Sequence, residues 1–270
     1  MNHTDLAKKD HWDNIYENAA GPGSSGWKPS NYDALALEYA LMNQIERYKP
    51  GSLLEIGCGN SVWLPYLARK TGAIVAGIDY SEAGCRLARQ RLALEGIEGK
   101  VFCLDLFKAS PEDIGQYDFV FSLGVVEHFT DLEGVIFKLT RFVKPGGILF
   151  TEVPNLWISS TAWSLHGLLS WIWQPELLAK HAKVTKSRLL DAYESAGMKD
   201  IRAVFLGIFS LNIVAWELYP RWPILARLGT PFIRRAVYAV DLVLHRVRKF
   251  SGVAPLAPFI YVIGQKSDQN

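Results

Sequence analysis

Between residues 51 and 153 apolar strand-like runs alternate with amphipathic helical stretches, and the first run breaks straight into a glycine-rich turn. The stretch reads Leu53-Leu-Glu-Ile-Gly57-Cys-Gly59-Asn-Ser61. Gly57 and Gly59 let the backbone turn tightly and approach a ligand that any Cβ would push away. A second apolar run, Ala73-Ile-Val-Ala-Gly-Ile78, ends in Asp79, twenty residues past Gly59. A carboxylate placed there can accept hydrogen bonds from both hydroxyls of a ribose. A glycine pair alone is a common turn. Set between strand and helix, with an acid at this distance, it is the mark of an adenosine-bearing cofactor site.

The periodicity extends this to a fold. Strands are expected at 52–56, 73–78, 101–104, 117–122, 147–153, 201–207 and 257–264. Helices are expected at 11–18, 32–47, 62–70, 82–95, 132–143 and 186–196, with Asn31 or Ser30, Ser81, Asp131 and Thr185 as N-caps and Gly197 as a stop. Continuous apolar strands alternating with helices make a parallel sheet covered on both faces. The expected class is α/β, a Rossmann-like doubly wound sheet of about seven strands with helical cap insertions. Residues 51–155 form the cofactor-binding core and 1–50 bring N-terminal helices that belong to the acceptor cap. Residues 156–182 form a lid insertion, and 183–270 complete the core around a second cap insertion at 208–256. A chain of 270 residues with 49% hydrophobic content can fill such a core.

The kind of cofactor follows from what the turn lacks. A dinucleotide fingerprint calls for a third glycine, and Val62 stands in its place. Glu55, just before the turn, suits an amine-bearing ligand better than a diphosphate. The chain here resembles the class I S-adenosylmethionine-dependent methyltransferases. The resemblance rests on ordered motifs: Glu55-Ile-Gly-Cys-Gly59, Gly77-Ile-Asp79, Leu104-Asp-Leu106, Tyr117-Asp-Phe-Val-Phe-Ser122, Val126-Glu-His-Phe129 and Lys144-Pro-Gly-Gly147. It implies S-adenosyl-L-methionine as cofactor. Gly57 and Gly59 would admit its methionine and ribose portions, Glu55 would orient the ammonium, and Asp79 would take the ribose hydroxyls. Asp105 and the Leu106 amide would hold the adenine, with Tyr80 and Phe107 as flanking aromatics. Ser122 and Leu123 would offer carbonyls to the ammonium. A nicotinamide oxidoreductase is the distant rival.

Methyl transfer to a hydroxyl needs a group to take its proton. Glu127 and His128 follow the fourth strand, and with the downstream His181 they resemble the ubiquinone-pathway O-methyltransferases and small-RNA 2′-O-methyltransferases. Those families carry Glu-x-x-Glu-His plus a distal His and hold a divalent ion. Here the first glutamate is replaced by Gly124, so no metal site is assigned, and the remaining trio would hold a divalent ion only weakly. Glu127, His128 and His181 are the candidate catalytic residues, acting as acid and base or simply buttressing the lid. His166 is a second candidate base.

Composition narrows the partners. A net charge of +2 gives no case for nucleic acid. Cys58, Cys85 and Cys103 have no metal-type spacing and read as buried free thiols. The first ten residues lack the apolar run of a signal peptide, so a cytoplasmic enzyme is expected. Residues 155–173 carry no charge and four tryptophans, a composition suited to a lid over an apolar small-molecule acceptor. Residues 221–249 carry seven basic residues against Asp241 alone, which reads as a peripheral membrane contact or as the solvated face of a docking helix. The expected activity is O-methylation of a hydrophobic or lipid- or glycan-linked small molecule. The alternatives are N- or C-methylation of a secondary metabolite, and a catalytically silent S-adenosylmethionine-binding partner protein. The sequence does not set the oligomeric state.

Overall fold

Among the described residues, five helices begin at a side chain that accepts a backbone amide of the first turn. The computed structural model describes residues 5–19, 21, 23, 25–159, 161–173, 175–207, 243, 252, 254 and 256–268. Asn31 accepts from Ala34 N at the start of α2 (Tyr32–Tyr48), and Ser81 from Gly84 N at the start of α4 (Glu82–Leu94). Ser110 starts the short α5 (Pro111–Ile114), Asp131 starts α6 (Leu132–Thr140) and Thr185 starts α9 (Lys186–Ser195) in the same way. Each such cap is worth about 1 kcal/mol against alanine. The remaining helices are α1 (Lys9–Glu17), α3 (Trp63–Thr71), α7 (Leu165–Trp173) and α8 (Pro175–Ala179).

The strands are β1 (Ser52–Ile56), β2 (Ile74–Asp79), β3 (Gly99–Cys103), β4 (Tyr117–Leu123), β5 (Val143–Pro154), β6 (Met198–Leu206) and β7 (Phe259–Lys266). They form one sheet in the order β3-β2-β1-β4-β5-β7-β6. The first five pair in parallel, and β7 enters antiparallel between β5 and β6. The order reverses between β1 and β4, so the carboxyl ends of β1, β2 and β4 open onto a shared crevice, the usual ligand site of such sheets.

Both faces of the sheet are covered, as the unbroken apolar strands require. One face packs Val120, Leu149, Val153 and Val262 against α6 and α9, including Tyr193. The other packs Leu53, Phe119, Phe121, Phe150 and Tyr261 against α2 and α3. Phe119 and Phe150 stack at 6.2 Å and Phe150 and Tyr261 at 5.0 Å, an aromatic ladder across β4, β5 and β7. Each such pair adds about 0.5–1.5 kcal/mol beyond its buried area.

The differences from the expected elements are local. β3 stops at Cys103 rather than 104, the Leu104 amide making the last ladder bond, to the carbonyl of Asp79 at 2.9 Å. Asp105 therefore lies in the following turn and does not end the strand. β5 begins at Val143, where α6 was expected to continue. β6 begins at Met198 and passes an irregularity at Asp200, whose φ is +51°. Cys58 and Cys85 are buried free thiols, whereas Cys103 is half-buried.

Within the insertion at 156–182, α7 is packed by its small residues. A Cβ on Gly167 would overlap the Leu156 carbonyl oxygen, and Ser164 and Ser170 are buried. Leu168 and Trp171 point outward, and Trp171 is 57% exposed. Trp157 is buried and Trp163 lies at the surface against it. The cap insertion expected at 208–256 and the basic stretch 221–249 lie outside the described residues, apart from the isolated positions given above. Among the described residues no helix is long and apolar enough to cross a membrane.

Candidate functional site

The chain after β1 bends through Gly57, whose φ of +75° only glycine adopts without strain. A Cβ there would overlap Val125 Cγ2. The amides of Gly57 and Cys58 both donate to the carbonyl of Ile78 (2.8 and 3.0 Å), which pins the turn to the end of β2. The next residue of that strand, Asp79, accepts the Gly59 amide on Oδ2 and the Ser81 amide on Oδ1, both at 2.8 Å. Burial raises the Asp79 carboxyl above its ordinary range although these amides pull it back. The acid is thus oriented by two backbone donors, with a remaining lone pair on each oxygen.

Asp79 borders a cavity of about 260 Å³. Gly57, Tyr80, Asp105, Leu106 and Leu123 line it too, so most of the expected cofactor residues meet around one space. His128 lines it from the other side. Asp105 Oδ1 accepts the Phe107 amide at 2.9 Å. Three expected residues stand apart from the wall. Gly59 lies beneath a side chain described below. Glu55 is buried behind the turn, its Oε2 without a hydrogen-bond partner, and desolvation pushes its carboxyl up to about 8 against the pull of a Ser61 hydrogen bond. Ser122 is fully buried, its hydroxyl also without a partner.

On the far rim, Val126–His128 form a single 3-10 turn. One ligand atom each from Glu127, His128 and His181 lies within 4.8 Å of the others, so residues 53 positions apart converge as the sequence suggested. His128 Nδ1 is 2.8 Å from the carbonyl oxygen of Lys180. A carbonyl can only accept, so Nδ1 carries the proton and Nε2 keeps a free lone pair. Desolvation, then the neighbouring His181, depress His128 to about 4. Glu127 is buried with Oε2 unpartnered and is pushed up to about 8 by desolvation. Desolvation thus favours the neutral form of both groups. The trio could bring three donors to a cation. The position of a fourth is Gly124, whose missing Cβ would sit 3.6 Å from Glu127 Oε1. The side chain of His166 lies outside the described residues.

Sequence reasoning gave the N-terminal helices to the acceptor cap but named none of their residues at the site. Asp5, Trp12 and Tyr16 all line the cavity. Leu6 N donates to His128 O at 2.8 Å, the Tyr80 hydroxyl donates to Asp5 Oδ2 at 2.7 Å, and the Ser81 hydroxyl donates to Asp13. Trp12 meets the His128 ring edge-on at 5.1 Å and stacks on Tyr16 at 6.1 Å. The signal was available: Trp12 and Tyr16 are four apart on a helix with Asp13 beside them, a polar-aromatic face with no core of its own.

A model of the family described as "Methyltransferase domain" matches residues 54–151. The chain is 32% identical over 151 residues to a ubiquinone biosynthesis O-methyltransferase of Methylobacterium nodulans, a match covering 54% of this chain. It spans 59% of that relative's length. Among solved structures, the [4+2]-cyclase SpnF superposes with a TM-score of 0.61 at 16% identity, covering 98% of this chain and 96% of SpnF. The plantazolicin methyltransferase BpumL, in complex with SAH, superposes with a TM-score of 0.56 at 17% identity, covering 97% of this chain and 94% of BpumL.

Proposed function

We propose that this chain, whose residues 54–151 match a methyltransferase-domain model, is a class I S-adenosylmethionine-dependent methyltransferase that moves the methyl group of S-adenosylmethionine to an oxygen of a hydrophobic or lipid- or glycan-linked small molecule. One observation carries this reading: Asp79 and Asp105 on one rim and His128 on the other face a single cavity. Asp79 would hold the ribose, and Asp105 with the Leu106 amide the adenine. The acids around the cavity suit a cofactor whose sulfonium and ammonium are positive. The cofactor supplies the methyl group on a sulfonium that leaves as a neutral thioether.

The residues of the chain do the rest. In-line displacement needs the acceptor oxygen held behind the methyl, and such placement supplies much of the acceleration. His128 Nε2 would take the proton of the acceptor hydroxyl, with Nδ1 anchored to the Lys180 carbonyl so that the ring presents the correct nitrogen. His181 and Glu127 would flank the proton as it leaves. The aromatic wall of Trp12 and Phe129 excludes water. The relative named as a ubiquinone biosynthesis O-methyltransferase favours oxygen as the accepting atom.

A second reading, a protein that binds the cofactor without transferring the methyl, draws support from SpnF, a cyclase on the same fold. The test is formation of S-adenosylhomocysteine with phenolic acceptors bearing apolar tails, alongside calorimetry with S-adenosylhomocysteine and NAD. Binding of S-adenosylhomocysteine with product formation supports transfer. Binding without turnover on any acceptor supports the second reading, and binding of NAD alone overturns both.

A further inference from the structure

We infer that Tyr16 is a displaceable plug: its ring stands over Gly59 and Gly84, where the cofactor's methionine and ribose would lie, and the N-terminal strap that carries it must swing aside before the cofactor can enter. The inference rests on the cofactor reading above.

Three observations carry it. The first is steric. A Cβ on Gly59 would overlap the Tyr16 hydroxyl, with Cε1 only 3.0 Å away, and a Cβ on Gly84 would stand 2.9 Å from Tyr16 Cδ2 and Cε2. The close approach that these glycines permit is therefore taken by a tyrosine of the same chain. With the strap in place the cavity is about 260 Å³, below the roughly 300–1,000 Å³ of ordinary small-molecule sites.

The second is how the strap is held. Beside the Leu6 N bond to His128 O and the His11 contact with Lys180, two side-chain latches hold it: Asp5 with the Tyr80 hydroxyl and Asp13 with the Ser81 hydroxyl. Both partners directly follow Asp79, so the latches close on the cofactor rim itself. The Tyr16 hydroxyl has no hydrogen-bond partner among the described residues. Burial and the nearby Asp79 carboxylate both disfavour its ionisation. Nothing polar fixes the ring where it stands.

The third is a hinge. Lys8, within the strap where it enters α1, has φ +53° and ψ 153°. That region is nearly closed to residues with a Cβ, and strain of this kind gathers at segments that switch.

Association of S-adenosylhomocysteine with the full chain, followed by stopped-flow tryptophan fluorescence with Trp12 as the local reporter, tests the plug. Tyr16→Ala should associate at least tenfold faster than the native chain. Tyr16→Phe should match the native rate, since the ring and not the hydroxyl blocks the site. Asp5→Asn, which loosens a latch without touching the ring, should associate about threefold faster, and it serves if Tyr16→Ala does not fold. Unchanged or slower association in Tyr16→Ala, or in Asp5→Asn where that stands in, overturns the plug while leaving the cofactor reading intact. If calorimetry finds no S-adenosylhomocysteine binding by any of these proteins, the cofactor reading fails and the plug with it.

Discussion

His128 Nδ1 lies 2.8 Å from the carbonyl oxygen of Lys180, which fixes the imidazole in the tautomer whose Nε2 can accept a proton. The contact ties the turn after β4 to the segment between α8 and α9, so a change in that segment would be felt at the ring. Replacing His128 by Ala should lower kcat by about a hundredfold or more while S-adenosylhomocysteine affinity stays nearly intact. Because desolvation depresses His128 to about 4, it stays neutral well below pH 6.5. The acid limb of the kcat profile should therefore fall near pH 4–5, and a limb at 6.5 would contradict the buried base. Treatment with a chelator should leave the rate unchanged; loss of activity that a divalent ion restores would transfer the role to a bound cation.

Asp79 carries much of the cofactor affinity in this scheme. It is already aimed by the Gly59 and Ser81 amides, so binding costs it little reorientation. Losing charge-assisted hydrogen bonds costs about 1.5–3 kcal/mol, so Asp79→Ala should weaken S-adenosylhomocysteine binding by roughly ten- to a hundredfold. The amides of Gly59 and Ser81 also lose their acceptor, so thermal stability should fall together with affinity. Calorimetry and a melting curve on the same sample check both.

The strand and helix pattern was legible because each signal was local. Asn31, Ser81, Asp131 and Thr185 all cap where their sequence context placed them, and the apolar runs gave six strands to within about three residues. β5 was the exception, since Val143-Lys-Pro-Gly looks like a loop until Tyr117 pairs with Val143. The meeting of Asp79, Asp105 and His128 around one cavity followed from strand order. Tyr16 did not, because its place over Gly59 depends on how a short helix docks, and no periodicity records docking. Glu55 stood out as an acid before the turn, yet its burial away from the cavity wall depends on which face of β1 it occupies.

Glu55 gives a stability test that does not depend on activity. Burial pushes its carboxyl from an ordinary 4.5 up to about 8. Between those values the folded chain still holds a proton that the unfolded chain has released, so stability is lost as pH rises through the window. A glutamine of the same shape has no proton to lose. Glu55→Gln should therefore gain on the native chain between pH 5 and 8.5, each unit of pKa separation being worth about 1.4 kcal/mol. Melting temperatures at the two pH values measure it, and a difference that does not change with pH would show that Glu55 is not held neutral.

Leu168 and Trp171 project from α7 while its small residues face the body, so the charge-free stretch 155–173 offers solvent an apolar surface. Sequence places seven basic residues against one acid at 221–249, a bias that favours anionic lipid by roughly 1 kcal/mol for each charge that reaches the surface. Together they predict a peripheral protein that meets an apolar acceptor at a bilayer. Flotation should find the chain on vesicles containing anionic lipid, not on neutral ones, and the bound fraction should fall as salt screens the basic residues. Trp171→Ser should weaken the binding that remains at high salt, because the indole contributes through burial rather than charge. If the protein never floats, the outward face of α7 has another purpose, and the acceptor is a molecule taken from solution.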